Sequence, residues 1–179
     1  MKITENFFES SRHKTFYLAA GPESGVPLFF IHGWPDLSIG WTKQIKFFAS
    51  QGYRVIVPDM RGYGASTIHE KQEAYAQKEI VTDMLELHAS LNCEEAIWIG
   101  HDWGSPVAWN MALHHPDKVK AVGSLCIPFG FGGHPESLLV TVNRDIYPED
   151  DFPAGQWDYQ FYYYEDFDAA QREMDEDPY

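Results

Sequence analysis

The sequence predicts an α/β fold built on a mostly parallel sheet, and two observations support this prediction. Short apolar runs recur along the first two thirds of the chain, as expected for strands that are buried on both faces. Segments with helical periodicity separate these runs, and this alternation is typical of parallel strands joined by right-handed crossovers. The 44% hydrophobic and 16% aromatic content of the 179 residues is sufficient for a packed core.

Three strands and one helix are predicted in the first third of the chain. Residues 15–20 have the composition of a strand, and residues 26–32 (VPLFFIH) form a continuous apolar run typical of a buried strand. Apolar positions at helical spacing follow over residues 39–51, and Gly52 suits the end of that helix. Residues 53–59 (YRVIVPD) predict a second buried strand.

The pattern continues through the middle of the chain. One face of a further helix, ending near Asn92, is marked by apolar residues at helical spacing: Ile80, Met84, Leu87 and Leu91. Residues 95–100 predict a third buried strand, a helix follows from about Ser105 to His115, and residues 121–127 predict a fourth. After Pro128 the sequence is rich in Gly, Pro and aromatic residues. We therefore expect a domain boundary near Phe129.

Charge and cysteine content exclude several classes of protein. The formal net charge of −14 argues against a nucleic-acid partner, because such affinity is built from clustered Lys and Arg, and it also disfavours an anionic membrane surface. The sequence shows no secretory signal and no transmembrane stretch, so we expect a cytoplasmic protein. Cys93 and Cys126 lie far apart and are expected to be free thiols.

The segment GHDWG, residues 100–104, links a predicted strand to a predicted helix. A strand that reverses sharply into a helix strains its apex residue, and Gly100 and Gly104 would permit that conformation. The apex is Asp102, whose side chain would stand at a helix N-terminus that favours negative charge. The pattern predicts that Asp102 is a nucleophile. The alternative is that Asp102 serves only as the helix N-cap.

The segment HGWPD, residues 32–36, follows the second predicted strand. In a hydrolase built on such a turn, this loop supplies one oxyanion donor and the residue after the nucleophile supplies another. We expect the backbone N–H groups of Trp34 and Trp103 to be these donors. Pro35 is expected to fix the loop, through a cis Trp34–Pro35 bond. Taken alone, the segment also fits an ordinary Gly-Pro turn.

The motifs HGWPD, PDMRGYG and GHDWGSPVAW together resemble the epoxide hydrolase branch of the α/β-hydrolase superfamily, near its haloalkane dehalogenase relatives. The resemblance is close over residues 15–128 and looser up to WDYQFYYY, which is similar to the start of a lid. It implies the N-terminal part of a truncated α/β-hydrolase core over residues 1–129. Residues 130–179 would begin a helical cap.

The resemblance also implies a reaction and further site residues. Asp102 would attack an epoxide carbon to form an alkyl-enzyme ester, which a His-activated water would hydrolyse to a diol. Tyr159 would be the lid acid that protonates the alkoxide, although it and its neighbouring tyrosines also fit an aromatic packing face. Pro35, His32 and Gln160 would line the pocket of a small, apolar, electrophilic substrate. No phosphate loop, zinc cluster or flavin motif is present, so no cofactor or metal is expected.

The acid and histidine of the family follow the lid, and we expect them beyond Tyr179. Within the sequence, His101 should point away from the site and His32 is expected to be structural. Four further histidines are expected on surface-like or loop segments: His13, His69, His88 and His134. We therefore expect this chain to be alkylated once without turnover.

Two other functions stay open, and one loop is expected to be structural. In a haloalkane or haloacid dehalogenase, the indole N–H of Trp103 would bind the leaving halide. In a non-catalytic fragment or binding relic, the pocket would remain without the chemistry. Asp59 and Arg61 are expected to organise the loop after their strand.

Overall fold

The structure is a computed structural model that describes residues 2–130, 144–155, 158–165 and 167–176. Its six strands are β1 (Thr4–Glu9), β2 (Lys14–Ala20), β3 (Pro27–Ile31), β4 (Arg54–Pro58), β5 (Ala96–His101) and β6 (Val119–Leu125). They form one sheet in the order β1-β2-β4-β3-β5-β6. The pairs β4–β3, β3–β5 and β5–β6 are parallel, and the other two are antiparallel. The predicted mostly parallel α/β fold is confirmed.

Strand β1 was not predicted from the sequence. It is an edge strand of the described sheet, and most of its side chains are exposed, so it carries no continuous apolar run. Its pairing with β2 places Phe7 opposite Phe16, whose rings meet edge to face with centroids 5.2 Å apart. The sheet is thus extended on one side by an antiparallel hairpin.

Five helices lie in the described ranges, and the first three of them are close to their predicted positions. They are α1 (Thr42–Ser50), α2 (Gln77–Ser90), α3 (Gly104–His114), α4 (Asp158–Glu165) and α5 (Phe167–Glu176). The predicted helix over residues 39–51 begins as a separate 3₁₀ turn at Ser38–Trp41, and a further 3₁₀ turn at Gln72–Tyr75 precedes α2. The predicted strand over residues 121–127 begins and ends two residues earlier, as β6.

Hydrophobic clusters cover both faces of the sheet. On one face α2 and α3 pack against β3 and β5, where the ring of Trp98 stacks on that of Phe29 with centroids 4.2 Å apart. On the other face α1 packs through Ile45 and Ala49 against Leu28 and neighbouring residues. The central strands are therefore buried on both faces, and the loops at the carboxyl ends of β3, β4 and β5 meet at one edge of the sheet.

Two histidines expected on surface-like or loop segments are buried, so that expectation is wrong for them. His13 is 4% exposed and stacks on the ring of His69. His88 is 1% exposed and packs against the rings of Phe29 and Trp98, because its place in α2 falls on the apolar face. His134 lies outside the described residues.

The chain divides into two compact units, Met1–Gly130 and Phe131–Tyr179, one residue after the expected boundary. In the second unit α4 and α5 pack together, and the hydroxyl of Tyr162 donates a hydrogen bond of 2.6 Å to Glu173. That this unit begins a cap stays a prediction. None of the helices in the described ranges is long and apolar enough to cross a membrane.

Candidate functional site

Asp102 occupies a strained turn between β5 and α3, with φ of +49°. This left-handed conformation is uncommon for a residue with a side chain and costs on the order of 1–3 kcal/mol. A Cβ atom on Gly100 would lie 2.2 Å from the carbonyl oxygen of Gly104, and one on Gly104 would lie 2.2 Å from that of Ile31. Both flanking positions therefore require glycine, and the turn has the geometry predicted for an elbow.

The side chain of Asp102 is hydrogen-bonded to a neighbouring loop. Its Oδ1 atom accepts a hydrogen bond of 2.9 Å from the backbone N–H of Trp34, in the loop after β3. Helix α3 begins without a side-chain capping bond, and Ser105 N–H donates to the backbone carbonyl of Asp102 instead. The hydrogen bonds therefore give no support to an N-cap role, and the carboxylate is half-buried with Oδ1 engaged.

The loop after β3 passes in close contact with Asp102. A Cβ atom on Gly33 would lie 2.4 Å from the Cβ atom of Asp102, so only glycine fits at this position. The Trp34–Pro35 bond is cis, as expected. In the described part of the chain, Trp34 is 38% exposed and Trp103, the residue after Asp102, is 53% exposed.

His32 lies beneath this loop and is completely buried. Its Nδ1 atom is 2.8 Å from the carbonyl oxygen of Gly33, and its Nε2 atom is 2.9 Å from the backbone N–H of Met60. Because a carbonyl only accepts and an N–H only donates, Nδ1 must carry the proton and Nε2 must accept. Burial lowers the pKa of His32, in opposition to the hydrogen bond with Gly33 and the nearby carboxylates. Both ring nitrogens thus serve the backbone, in keeping with a structural role.

Asp59 organises the neighbouring loop, as expected. Its two carboxylate oxygens accept hydrogen bonds from Ser38 N–H at 2.8 Å and Ala65 N–H at 3.2 Å, which connects the loops after β3 and β4. A Cβ atom on Gly64 would lie 2.0 Å from the Asp59 carboxylate, so this turn closes directly around the acid.

Arg61 anchors the same loop to α2. Its Nε and Nη2 atoms each donate a hydrogen bond of 2.6 Å to the carboxylate of Asp83, and Nη1 contacts the carbonyl of Ala74. Sequence analysis missed Asp83, although one signal was available. Asp83 follows Ile80 by three residues and precedes Leu87 by four, which places a carboxylate on the apolar face of α2.

Tyr63 was also missed. Its ring meets that of His32 edge to face with centroids 4.9 Å apart, and it packs against the core. Burial, followed by the negative charge of Asp102, raises the pKa of its hydroxyl. Tyr63 is therefore a polar group near the carboxylate; it belongs to the motif PDMRGYG, but the sequence analysis assigned it no role.

The remaining predicted residues are placed as follows. The ring of His101 meets that of Trp41 edge to face with centroids 6.4 Å apart. Tyr159 lies on α4 in the second unit, is 47% exposed and contacts the ring of Tyr163. The side chain of Gln160 lies outside the described residues. In the described ranges, no group of three His, Cys, Asp or Glu side chains is arranged to hold a metal ion.

Comparison with known proteins gives consistent matches. Residues 26–168 match the family described as alpha/beta hydrolase fold. The chain is 40% identical over 126 residues to epoxide hydrolase A of Mycobacterium tuberculosis and 41% identical over 129 residues to an epoxide hydrolase of Caballeronia sordidicola. These matches cover 70% and 72% of this chain and 39% of each relative.

The chain is also similar to solved structures of epoxide hydrolases. The crystal structure of epoxide hydrolase A from Mycobacterium thermoresistibile matches with a TM-score of 0.69 and 37% identity, over 71% of this chain and 40% of that chain. Epoxide hydrolase VrEH1 from Vigna radiata matches with a TM-score of 0.68 and 35% identity, over 71% of this chain and 41% of that chain. The chain therefore spans about 40% of the length of these relatives.

Proposed function

Because the chain belongs to the α/β-hydrolase fold family, we propose that it carries the nucleophilic part of an epoxide hydrolase site. One observation carries the proposal. The carboxylate of Asp102 is presented on a left-handed turn, with Oδ1 held 2.9 Å from the N–H of Trp34. The relatives named as epoxide hydrolases support the choice of substrate class.

The geometry supports different roles for the two carboxylate oxygens of Asp102, one as hydrogen-bond acceptor and the other as nucleophile. With Oδ1 held by Trp34 N–H, Oδ2 attacks a ring carbon of the epoxide, and the bond between that carbon and the ring oxygen breaks. The ring oxygen leaves as an alkoxide and takes a proton, for which Tyr159 is the proposed donor. The product is an ester between Asp102 and a carbon next to the new hydroxyl group.

Hydrolysis of that ester would again use the backbone N–H of Trp34. Water adds to the ester carbonyl carbon, and negative charge develops on Oδ1, where the N–H groups of Trp34 and Trp103 are the proposed stabilising donors. The bond between that carbon and Oδ2 then breaks, Oδ2 takes a proton and leaves as the second hydroxyl group of the diol, and the carboxylate forms again. This step needs a base to activate the water. In the described ranges, no histidine ring forms a hydrogen bond with Asp102, so the reaction of this chain is proposed to stop at the ester.

Mass spectrometry tests the proposal directly. Incubation with styrene oxide should add one ligand mass to the protein, and peptide mapping should locate it on Asp102. Cys126 is exposed and its thiol also reacts with epoxides, so the reaction is run in a Cys126→Ser background. Asp102→Asn is the matched control, since asparagine tolerates the left-handed conformation. An adduct that persists in Asp102→Asn would contradict the assignment of the nucleophile.

The same assay separates the alternatives. Sustained diol formation would refute the proposed arrest at the ester. Adduct formation with 1-bromobutane and release of bromide, without any reaction with epoxides, would favour a dehalogenase, for which the exposed indole of Trp103 beside Asp102 offers an N–H donor. Absence of any adduct on Asp102 with either reagent would favour a binding relic.

A further inference from the structure

We propose that His32 is a positioning residue that orients the Gly33–Trp34 peptide group, and through it the nucleophilic carboxylate of Asp102, by donating a hydrogen bond from Nδ1. The inference rests on the proposed function and assigns a role to a residue whose ring nitrogens bond to the backbone rather than to Asp102.

The two hydrogen bonds on this peptide group carry the argument. Its carbonyl oxygen, from Gly33, accepts a hydrogen bond of 2.8 Å from His32 Nδ1. Its N–H group, from Trp34, donates a hydrogen bond of 2.9 Å to Asp102 Oδ1. Because a peptide group is planar, a bond that fixes the direction of its C=O also fixes the direction of its N–H. His32 therefore determines where the Trp34 donor points.

Residue 33 has to be glycine, which creates the need for such support. A Cβ atom here would lie 2.4 Å from Asp102 Cβ, so the chain cannot use a side chain to restrict this backbone. Glycine has wide conformational freedom, and an unsupported peptide plane beside it could rotate. The Gly33 carbonyl also accepts the N–H of Asp36 at 3.1 Å, and His32 supplies the second restraint from below.

The tautomer of His32 is determined on its opposite side. The N–H of Met60 donates to Nε2 at 2.9 Å, which leaves the ring proton on Nδ1, where the Gly33 carbonyl requires it. The charged and titratable groups near the ring come from the loops after β3 and β4: Asp36, Asp59 and Tyr63. Burial outweighs the two carboxylates and lowers the pKa of His32, so that the neutral ring persists at neutral pH.

Two substitutions separate the donor from the acceptor. Asparagine places an amide N–H near the position of Nδ1, so His32→Asn keeps a donor for the Gly33 carbonyl but loses the acceptor for Met60. Glutamine places its amide oxygen near the position of Nε2, so His32→Gln keeps the acceptor but loses the donor. His88→Gln is the control, because His88 is 1% exposed on α2 and packs against Trp98 rather than the loop.

The measured quantity is the rate of Asp102 alkylation by styrene oxide in the Cys126→Ser background. We expect His32→Gln to lose about 10- to 100-fold in rate, which is the effect of a misplaced reacting group. His32→Asn should stay close to the parent, as should His88→Gln. A His32→Gln rate equal to the parent, or an equal loss in both His32 variants, would overturn the proposal.

A second measurement does not depend on the chemistry. In ¹H–¹⁵N spectra the amide proton of Trp34 should lie downfield, because it is bonded to a carboxylate, and should exchange slowly with solvent. In His32→Gln we expect this signal to move upfield and exchange faster, with little change in His32→Asn. If no protein is alkylated, the proposed function fails while this comparison still tests His32. An unchanged Trp34 signal in well-folded His32→Gln would overturn the role of His32.

Discussion

The buried pair of Arg61 and Asp83 offers a quantitative test of how the loop after β4 is held. The side chains of Arg61 and Asp83 are 2% and 0% exposed, and two hydrogen bonds of 2.6 Å join them. Replacing Asp83 with leucine would leave the Arg61 guanidinium buried without a counter-ion. Hydrogen bonds to charged groups are worth about 1.5–3 kcal/mol each, so two of them give about 3–6 kcal/mol. Measured losses from breaking buried pairs are about 3–5 kcal/mol.

Equilibrium urea unfolding provides the measurement. We expect Asp83→Leu to lower the free energy of unfolding by about 3–5 kcal/mol, a large fraction of the about 5–15 kcal/mol typical of a domain. Arg61→Met combined with Asp83→Leu should recover most of this loss, because no unpaired charge remains. Arg12 also contacts Asp83, but it is 31% exposed and keeps Glu79 and Glu86 as partners, so its contribution is discounted for solvent screening.

An exposed ion pair supplies the control. Lys118 and Asp117 lie 3.3 Å apart with side chains 41% and 72% exposed, and Asp117→Ala should change the free energy of unfolding little. A loss of less than about 1 kcal/mol in Asp83→Leu would refute the reasoning. A double variant whose loss equals the sum of the single losses would do so too, since the two groups would then be uncoupled.

Three further predictions follow from other contacts. Gly33→Ala should abolish alkylation of Asp102, because the new Cβ atom would lie 2.4 Å from Asp102 Cβ; alkylation at the parent rate would show that the loop can move aside. Burial lowers the pKa of three histidines in the folded protein: His13, His32 and His88. As pH drops from about 7.5 to 5.5, these histidines take up protons in the unfolded chain, near the ordinary pKa of about 6.5, before they do so in the folded protein. The melting temperature should therefore fall over this range. A melting temperature that stays flat over this range would count against their burial. Ellman's reagent should react quickly with exposed Cys126 and slowly with Cys93, whose pKa burial raises; equal rates would contradict this difference.

The elbow could be predicted because its chemistry restricts its sequence. Positions 100 and 104 leave no room for side chains, and position 33, in the loop after β3, must also be glycine because it contacts Asp102. The geometry of the turn is therefore visible in the sequence as short glycine motifs. The central strands are equally visible, since burial on both faces requires continuous apolar runs.

The contacts that support the site were harder to predict. Hydrophobic periodicity was used only to place the apolar residues of α2, so Asp83 and His88 were passed over although both are buried in that helix. Strand β1 lacks an apolar run because it lies at an edge and is mostly exposed. The part played by Tyr63 depends on the meeting of loops from different strands, which no local pattern encodes. The role of Tyr159 stays a prediction.

The N-terminal hairpin has a practical consequence for anyone who trims this protein. The family match begins at residue 26, yet β2, which ends at Ala20, pairs along β4 with Ala20 opposite Val55. A version cut back to residue 26 would turn β4 into an outer strand. Its apolar side chains and free amide groups would then be open to other molecules, and we expect such a version to self-associate rather than remain monodisperse.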